Sequence, residues 1–322
     1  VSHGAAALLG AIEAGGTKFL CTLVRGGDTL AEARIPTTSP AQTLAEVLAF
    51  FRQAQAAHGQ ALAFGVGSFG PLQRDPSAPD YGHVLSTPKP GWTGTDLLGP
   101  LVHSFGRPVG LDTDVNAAAL AEARLGAGRG ARSMAYVTVG TGIGGGLIVD
   151  GRALQGSMHP EIGHISVRRD ERDTQFAGQC PFHGDCLEGL ACGPAIGARW
   201  GSTLDQLGPA QEALSIIGGY LGQLAANLAL VCAVERVIFG GGVLQAEGLL
   251  AAIRRATKHQ LNGYLPADCY AGSLDAFIRT PGLGNRSGIV GAQLLAQEAL
   301  DRQHSGVTAT RTAAAATPHD AA

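Results

Sequence analysis

At 322 residues the chain is long enough for about two domains with a cleft between them, which excludes a small disulfide-stapled module. Apolar residues make up 45% and charged residues 15%, with a formal net charge of -3, so the sequence lacks both the low hydrophobicity of disorder and a basic footprint for nucleic acid. The 48 glycines follow no collagen period and imply many tight turns and close backbone approaches. Six cysteines could pair, but the N-terminal stretch lacks a basic segment, an apolar h-region and a cleavage site, so reduced thiols in a cytoplasm are expected.

In chain order, Ala11 to Val24 reads as strand, turn, strand, with Gly15-Gly16-Thr17-Lys18 at the bend. Leu44, Val47, Leu48 and Phe51 give residues 41–57 a helical period, and 61–67 reads as a strand. Residues 86–92 are loop-like. Asp112, Asp114 and Asn116 alternate in a segment taken as extended, which points them one way, ahead of a helix over 117–125 closed by Gly126. Ala135 to Val149 repeats the first pattern around Gly140-Thr141-Gly142-Ile143-Gly144, so the chain is expected to be two related α/β halves, each opening with a glycine hairpin. Residues 168–179 form a polar excursion. The uncharged run between Glu212 and Glu235 is long enough for a membrane span, but Ile217, Leu221, Leu224, Leu228, Val231 and Cys232 recur as in a buried helix of a soluble core, and no membrane partner is expected. The Ala/Thr-rich tail, 305–322, is expected to be disordered.

No G-x-x-x-x-G-K-[ST] occurs, which excludes a P-loop. Gly140-x-Gly142-x-x-Gly145 meets the dinucleotide pattern, but a strand follows it where a helix should. What remains is a pair of hairpins whose backbone N–H groups grip one polyphosphate from two sides. Asp112, Asp114 and Asn116 then supply candidates for a base and a hydroxyl ligand, with helix capping the competing role for Asn116. Glu161 and Glu188 are suited to polar ligands such as sugar hydroxyls. Cys180-x-x-His183-x-x-Cys186, with His164 upstream, forms a Cys₂His₂ set for tetrahedral zinc, and Cys192 is an alternative ligand. Four protein ligands leave no open position, so the metal is expected to be structural.

These residues resemble the ROK sugar kinases, most closely their fructokinase branch, within the actin/hexokinase-like ATPase class; the resemblance covers residues 10–298. It implies two RNase H-like domains around an interdomain cleft: 1–112 with a returning helix at about 288–302, and 113–287 carrying the zinc loop. Glu13, Gly15, Gly16, Thr17 and Lys18 resemble the first phosphate motif, Gly140, Thr141, Gly142 and Gly144 the second, and Gly240, Gly241 and Gly242 the adenosine motif. The resemblance makes Asp114 the catalytic base, places Gly67, Asn116, Glu161, His164 and Glu188 around the sugar, and implies ATP, Mg²⁺, structural Zn²⁺ and a homodimer. Thr113 stands where many glucose-phosphorylating relatives have Asn, and residues 65–71 and 87–92 match the fructokinase branch, so the expected reaction is fructose to fructose 6-phosphate. A glucokinase, a mannokinase and a non-catalytic sugar-responsive regulator are the alternatives; repressors of the group place a helix-turn-helix of roughly 70 residues ahead of the first hairpin, and that hairpin begins here about ten residues in.

Overall fold

The computed structural model describes residues 6–208 and 212–306. The first half is a five-stranded sheet ordered β3-β2-β1-β4-β5, made of β1 (Leu8–Ala14), β2 (Lys18–Arg25), β3 (Asp28–Pro36), β4 (Ala63–Ser68) and β5 (Val109–Thr113). β1, β2 and β3 pair antiparallel, while β4 and β5 join β1 in parallel. β4 is buried at every residue, as a central parallel strand covered on both faces requires. The crossover helix α1 (Pro40–His58) starts where Ser39 accepts from the Gln42 amide, with Pro40 in the first turn, where a missing N–H costs nothing. The short α2 (Gly99–Phe105) follows the loop anchored by the fully buried Trp92.

The helix α3 (Asp114–Leu125) leads into the second half, whose strands are β6 (Ser133–Val139), β7 (Ile143–Val149), β8 (Arg152–Ala153), β9 (Arg236–Gly240) and β10 (Ile278–Arg279). Their order, β10-β9-β6-β7-β8, is that of the first sheet read from the other edge, with the same parallel and antiparallel pairings. The repeated hairpin seen in the sequence is thus a repeated sheet. Between β8 and β9 run α4 (Leu187–Ala191), α5 (Gly193–Trp200), α6 (Leu204–Leu207) and α7 (Glu212–Cys232). After β9 come α8 (Leu249–Leu261) and α9 (Ser287–His304), and α9 returns to pack on β1, β4 and β5 of the first sheet and on α3. Its approach is close: a Cβ on Gly65 would lie 1.9 Å from the Ala292 carbonyl oxygen, and one on Gly291 would lie 2.0 Å from that of Ala117.

Two expectations are corrected, the start of α3 and the burial of the last turn of α7. α3 begins at Asp114, three residues early, because the Thr113 hydroxyl, 3.2 Å from the Asn116 amide, caps it and leaves Asn116 inside the first turn. Asp114 and Asn116 are therefore helical and not part of an extended alternation. The helix α7 is long and apolar enough to cross a membrane, yet 67% of its most apolar stretch is buried within the protein, where it packs on α8. Its last turn departs from the buried pattern, since Val231 is 82% exposed and Cys232 partly so. The polar stretch 168–179 is ordered by Asp173, which is buried in an ion pair with Arg199 at 3.0 Å and accepts from the Tyr220 hydroxyl at 2.5 Å. The tail expectation lies outside the described residues from 307 onward.

Candidate active site

Strand register sets the floor of the site. Glu13, Gly67 and Asp112 lie side by side across β1, β4 and β5, near the carboxyl ends of three parallel strands, where ligands of open α/β sheets bind. In the second sheet Thr138 pairs with Gly240 at the corresponding ends of β6 and β9. Between the two floors opens a cavity of about 330 Å³ lined among others by Glu13, Asp114, Thr138, Gly240, Gly241 and Asn285. Gly241 holds φ +94°, and a Cβ there would lie 2.3 Å from the Val139 carbonyl oxygen, so the adenosine-motif turn requires glycine.

Asp114, the first residue of α3, is half-buried at this cavity. Burial pushes its carboxyl up to about 6 against the stabilising backbone amides of Val115 and its own residue. Asp112 is occupied: it accepts from Arg74 at 2.6 Å, from the Asn116 side-chain amide at 2.7 Å and from the Thr113 amide at 2.6 Å. Asn116 is 1% exposed with its amide committed to Asp112, and Gly67 is buried where a Cβ would meet Ala117. Both adjoin Asp112, Asn116 through its side-chain amide and Gly67 as its strand partner.

Glu13 is pushed up to about 7, first by burial and then by Asp114, while Lys18 and Arg286 oppose the shift. Two carboxyls facing one cavity create demand for a cation. α9 presses Glu13 from behind: its Ile289 amide donates to the carboxylate, and a Cβ on Gly288 would sit 2.3 Å from Oε1. Gly288→Ala should favour the helix by about 0.8–1 kcal/mol of propensity yet displace the carboxylate. The expected result is an unchanged or raised melting temperature with about tenfold lower kcat/KM for ATP. Steady-state kinetics over a Mg²⁺ series checks it, and unaltered kinetics would remove Glu13 from the site.

On the opposite side, Glu161, Glu188 and Asp114 lie close enough that burial and then the two neighbouring carboxylates raise the Glu161 carboxyl. Glu188 accepts from the Ile143 amide at 2.8 Å, and a Cβ on Gly142 would meet its Oε2, so the second hairpin is fitted around this carboxylate. The Glu188 Oε1 lies 3.9 Å from His164 Nε2. The other ring nitrogen faces two cysteines: Nδ1 is 3.7 Å from Cys180 Sγ and 3.5 Å from Cys186 Sγ, and His183 Nδ1 is 3.6 Å from Cys180 Sγ. All four ligand atoms fall within 4.8 Å of one another, and Cys192 is outside the group. Tetrahedral bonds of about 2.3 Å to sulfur and about 2.0 Å to nitrogen place such ligands roughly 3.6 Å apart, the spacing of the three histidine–cysteine pairs given above, so the chemistry of the set suits one ion.

Each hairpin turn follows a strand whose end lines the cavity, β1 at Glu13 and β6 at Thr138. Gly15 is half-buried, Gly16, Thr17 and Lys18 are exposed, and the Gly15 amide bonds the Lys18 carbonyl at 3.0 Å. Gly140 closes the second turn on the Gly142 carbonyl at 2.9 Å, with Thr141 exposed at its tip and Gly144 half-buried in β7. Gly242 opens a 3₁₀ turn after β9. Sequence reasoning singled out Lys18 and passed over Lys89, whose ammonium reaches the Gly16 carbonyl from the loop anchored by Trp92. Its placement between Pro88 and Pro90 was the available signal, since prolines on both sides limit the backbone freedom of the lysine.

The ROK family pattern matches residues 9–299. The chain belongs to the ROK family. Among its members it is 44% identical to a fructokinase from Zymomonas mobilis over 92% of this chain and 98% of that one. A ROK hexokinase from Thermus thermophilus superposes with a TM-score of 0.74 at 28% identity, over 91% of this chain and 99% of that one. A ROK glucokinase from Streptomyces griseus, solved with glucose and AMPPNP, gives 0.69 at 26% identity over 90% and 99%. The ROK fold, two α/β halves of actin-like ATPase type, accounts for the duplicated sheet and the cavity between its floors.

Proposed function

We infer that this ROK protein is an ATP-dependent hexose kinase that converts fructose to fructose 6-phosphate. The observation that carries the chemistry is Asp114, half-buried at the cavity between Glu13 and the Glu161/Glu188 pair. The choice of sugar is supported by the 44% identity to a fructokinase, against 28% and 26% for the hexokinase and the glucokinase.

In this reading the nucleotide lies along Gly240 and Gly241 with its phosphates toward the two hairpin turns, those of Gly15–Lys18 and Gly140–Gly144. Glu161, His164 and Glu188 hold the sugar hydroxyls. Asp114 takes the proton from the primary hydroxyl as that oxygen attacks the γ-phosphorus and ADP leaves. Bound magnesium would neutralise phosphate charge, with Glu13 the side chain placed to orient it. Zinc on His164, Cys180, His183 and Cys186 would hold the loop that presents Glu188 and fix the His164 ring, leaving Nε2 for the sugar side. Assembly as a homodimer and a cytoplasmic setting belong to the same reading and rest on the family.

The test is kcat/KM for fructose, mannose and glucose on one preparation. Fructose is expected to lead glucose by about tenfold, because Thr113 is buried and committed to capping α3, and a sugar hydroxyl left without its partner loses about 1–3 kcal/mol. Glucose exceeding fructose by about tenfold would overturn the sugar and leave the kinase standing.

A further inference from the structure

Glu122 takes no part in the steps above, yet it is a fully buried carboxylate bonded to Ser287 of the cavity wall. It stands in the last turns of α3, the helix that Asp114 begins. Its Oε2 accepts from the Ala127 amide at 2.7 Å and the Gly282 amide at 2.9 Å, and its Oε1 from the Leu283 amide at 3.0 Å and the Ser287 hydroxyl at 2.7 Å. Two donors on each oxygen satisfy the carboxylate, which is the condition for tolerating a buried acceptor of this kind. The backbone is shaped to reach it: a Cβ on Gly126 would lie 2.0 Å from Oε2.

Three of these four donors come from residues 282–287. That segment carries Gly284, Asn285 and Ser287 in the cavity wall and runs into α9, whose Gly288 and Ile289 press on Glu13. Tyr136, also in the wall, has its hydroxyl on Ser287, and a Cβ on Gly240 would lie 2.7 Å from that hydroxyl. Asp114 and the nucleotide wall are therefore tied through one rigid helix with a carboxylate at its far end.

We propose that Glu122 is a positioning residue for phosphoryl transfer, fastening the 282–287 wall of the nucleotide pocket to the helix that carries Asp114. The proposal rests on the reading of this cavity as the ATP site. A carboxylate that only staples the fold would change stability alone. One that sets the pocket wall changes the use of ATP while leaving fructose, whose ligands lie on the other side of Asp114, nearly untouched.

The experiment uses the full chain with Glu122→Gln, Ser287→Ala and the double variant. ATP and fructose are each varied at saturating levels of the other, and melting temperature is recorded. Glutamine keeps the shape but turns a donor toward backbone donors, so KM for ATP should rise about tenfold with KM for fructose within about twofold. Ser287→Ala removes one donor and should raise KM for ATP about threefold, with the double variant no worse than Glu122→Gln because both act through one contact. KM for ATP unchanged in the folded variants, or both KM values rising together, would overturn the proposal. If Glu122→Gln does not fold, Ser287→Ala decides it by the same split. A wild-type protein that does not use ATP on fructose would remove the functional reading itself, whereas an active wild type with unmoved variants removes only the role of Glu122.

Discussion

Asp114→Asn is expected to lower kcat by about 10²–10⁴ while fructose and ATP still bind, because the amide keeps the shape of the group but cannot accept the hydroxyl proton. The carboxylate accepts from the Val115 amide at 2.8 Å through Oδ1, an arrangement local to the first turn of α3. Burial holds the carboxyl near 6, so it is ionised at neutral pH yet basic enough to take a proton. The sign of the pH dependence follows: the base works only when unprotonated, so wild-type kcat/KM falls as pH drops through about 6, and the variant loses the Asp114 contribution to that limb of the profile. Glu13, held near 7 partly by Asp114, steepens the same acid limb, and the variant relieves that repulsion. Single-turnover phosphorylation over a pH series, with calorimetric binding of each substrate and circular dichroism for the helix, measures all three consequences. Activity within a few-fold of wild type would move the base elsewhere. Asp112, the alternative suggested by the sequence, cannot take over without releasing Arg74, Asn116 and the Thr113 amide, so Glu161 would become the candidate.

The elements legible in the sequence were those fixed by local chemistry. Glycine turns between β-branched strands announced both hairpins, and their repetition announced the duplicated sheet. The spacing of Cys180, His183 and Cys186 announced a cluster of side chains, because the turn brings all three together locally. Tertiary pairings were hidden. Thr113 and Asn116 are both good caps, and only the turn out of β5 decides that Thr113 wins and that Asn116 is drawn inward to Asp112. Glu188 on Ile143, Glu122 on Ser287 and Lys89 on Gly16 each join residues at least 45 positions apart, and no periodicity reports such a pair. Val231 carried the right spacing for burial but falls in the last turn of α7, where the core has ended.

Removing the metal should act on fructose more than on ATP. Zinc content is expected to be one per chain, and Cys180→Ser should abolish it together with about 10–100-fold of kcat/KM for fructose and a marked drop in melting temperature. With four protein ligands around it the ion would keep no open position for water or substrate, so it would act by holding side chains. Those side chains are identifiable: Nδ1 of His164 faces the cysteine sulfurs, which leaves Nε2 toward Glu188, and Glu188 in turn holds the Ile143 amide of the second phosphate hairpin. Loss of the ion frees the His164 ring and the Cys180–Cys186 loop together, so Glu188 loses its neighbour and the turn that presents it. Glu13 stands on β1 and Gly240 ends β9, with Gly241 next to it, all outside the Cys180–Cys186 loop, so KM for ATP should rise by a smaller factor. Elemental analysis before and after chelation, with KM for each substrate, separates these effects. Zinc retained in Cys180→Ser but lost in Cys192→Ser would transfer the ligand role to Cys192, and equal losses for both substrates would mean that the ion maintains the fold as a whole and not the sugar side of the site.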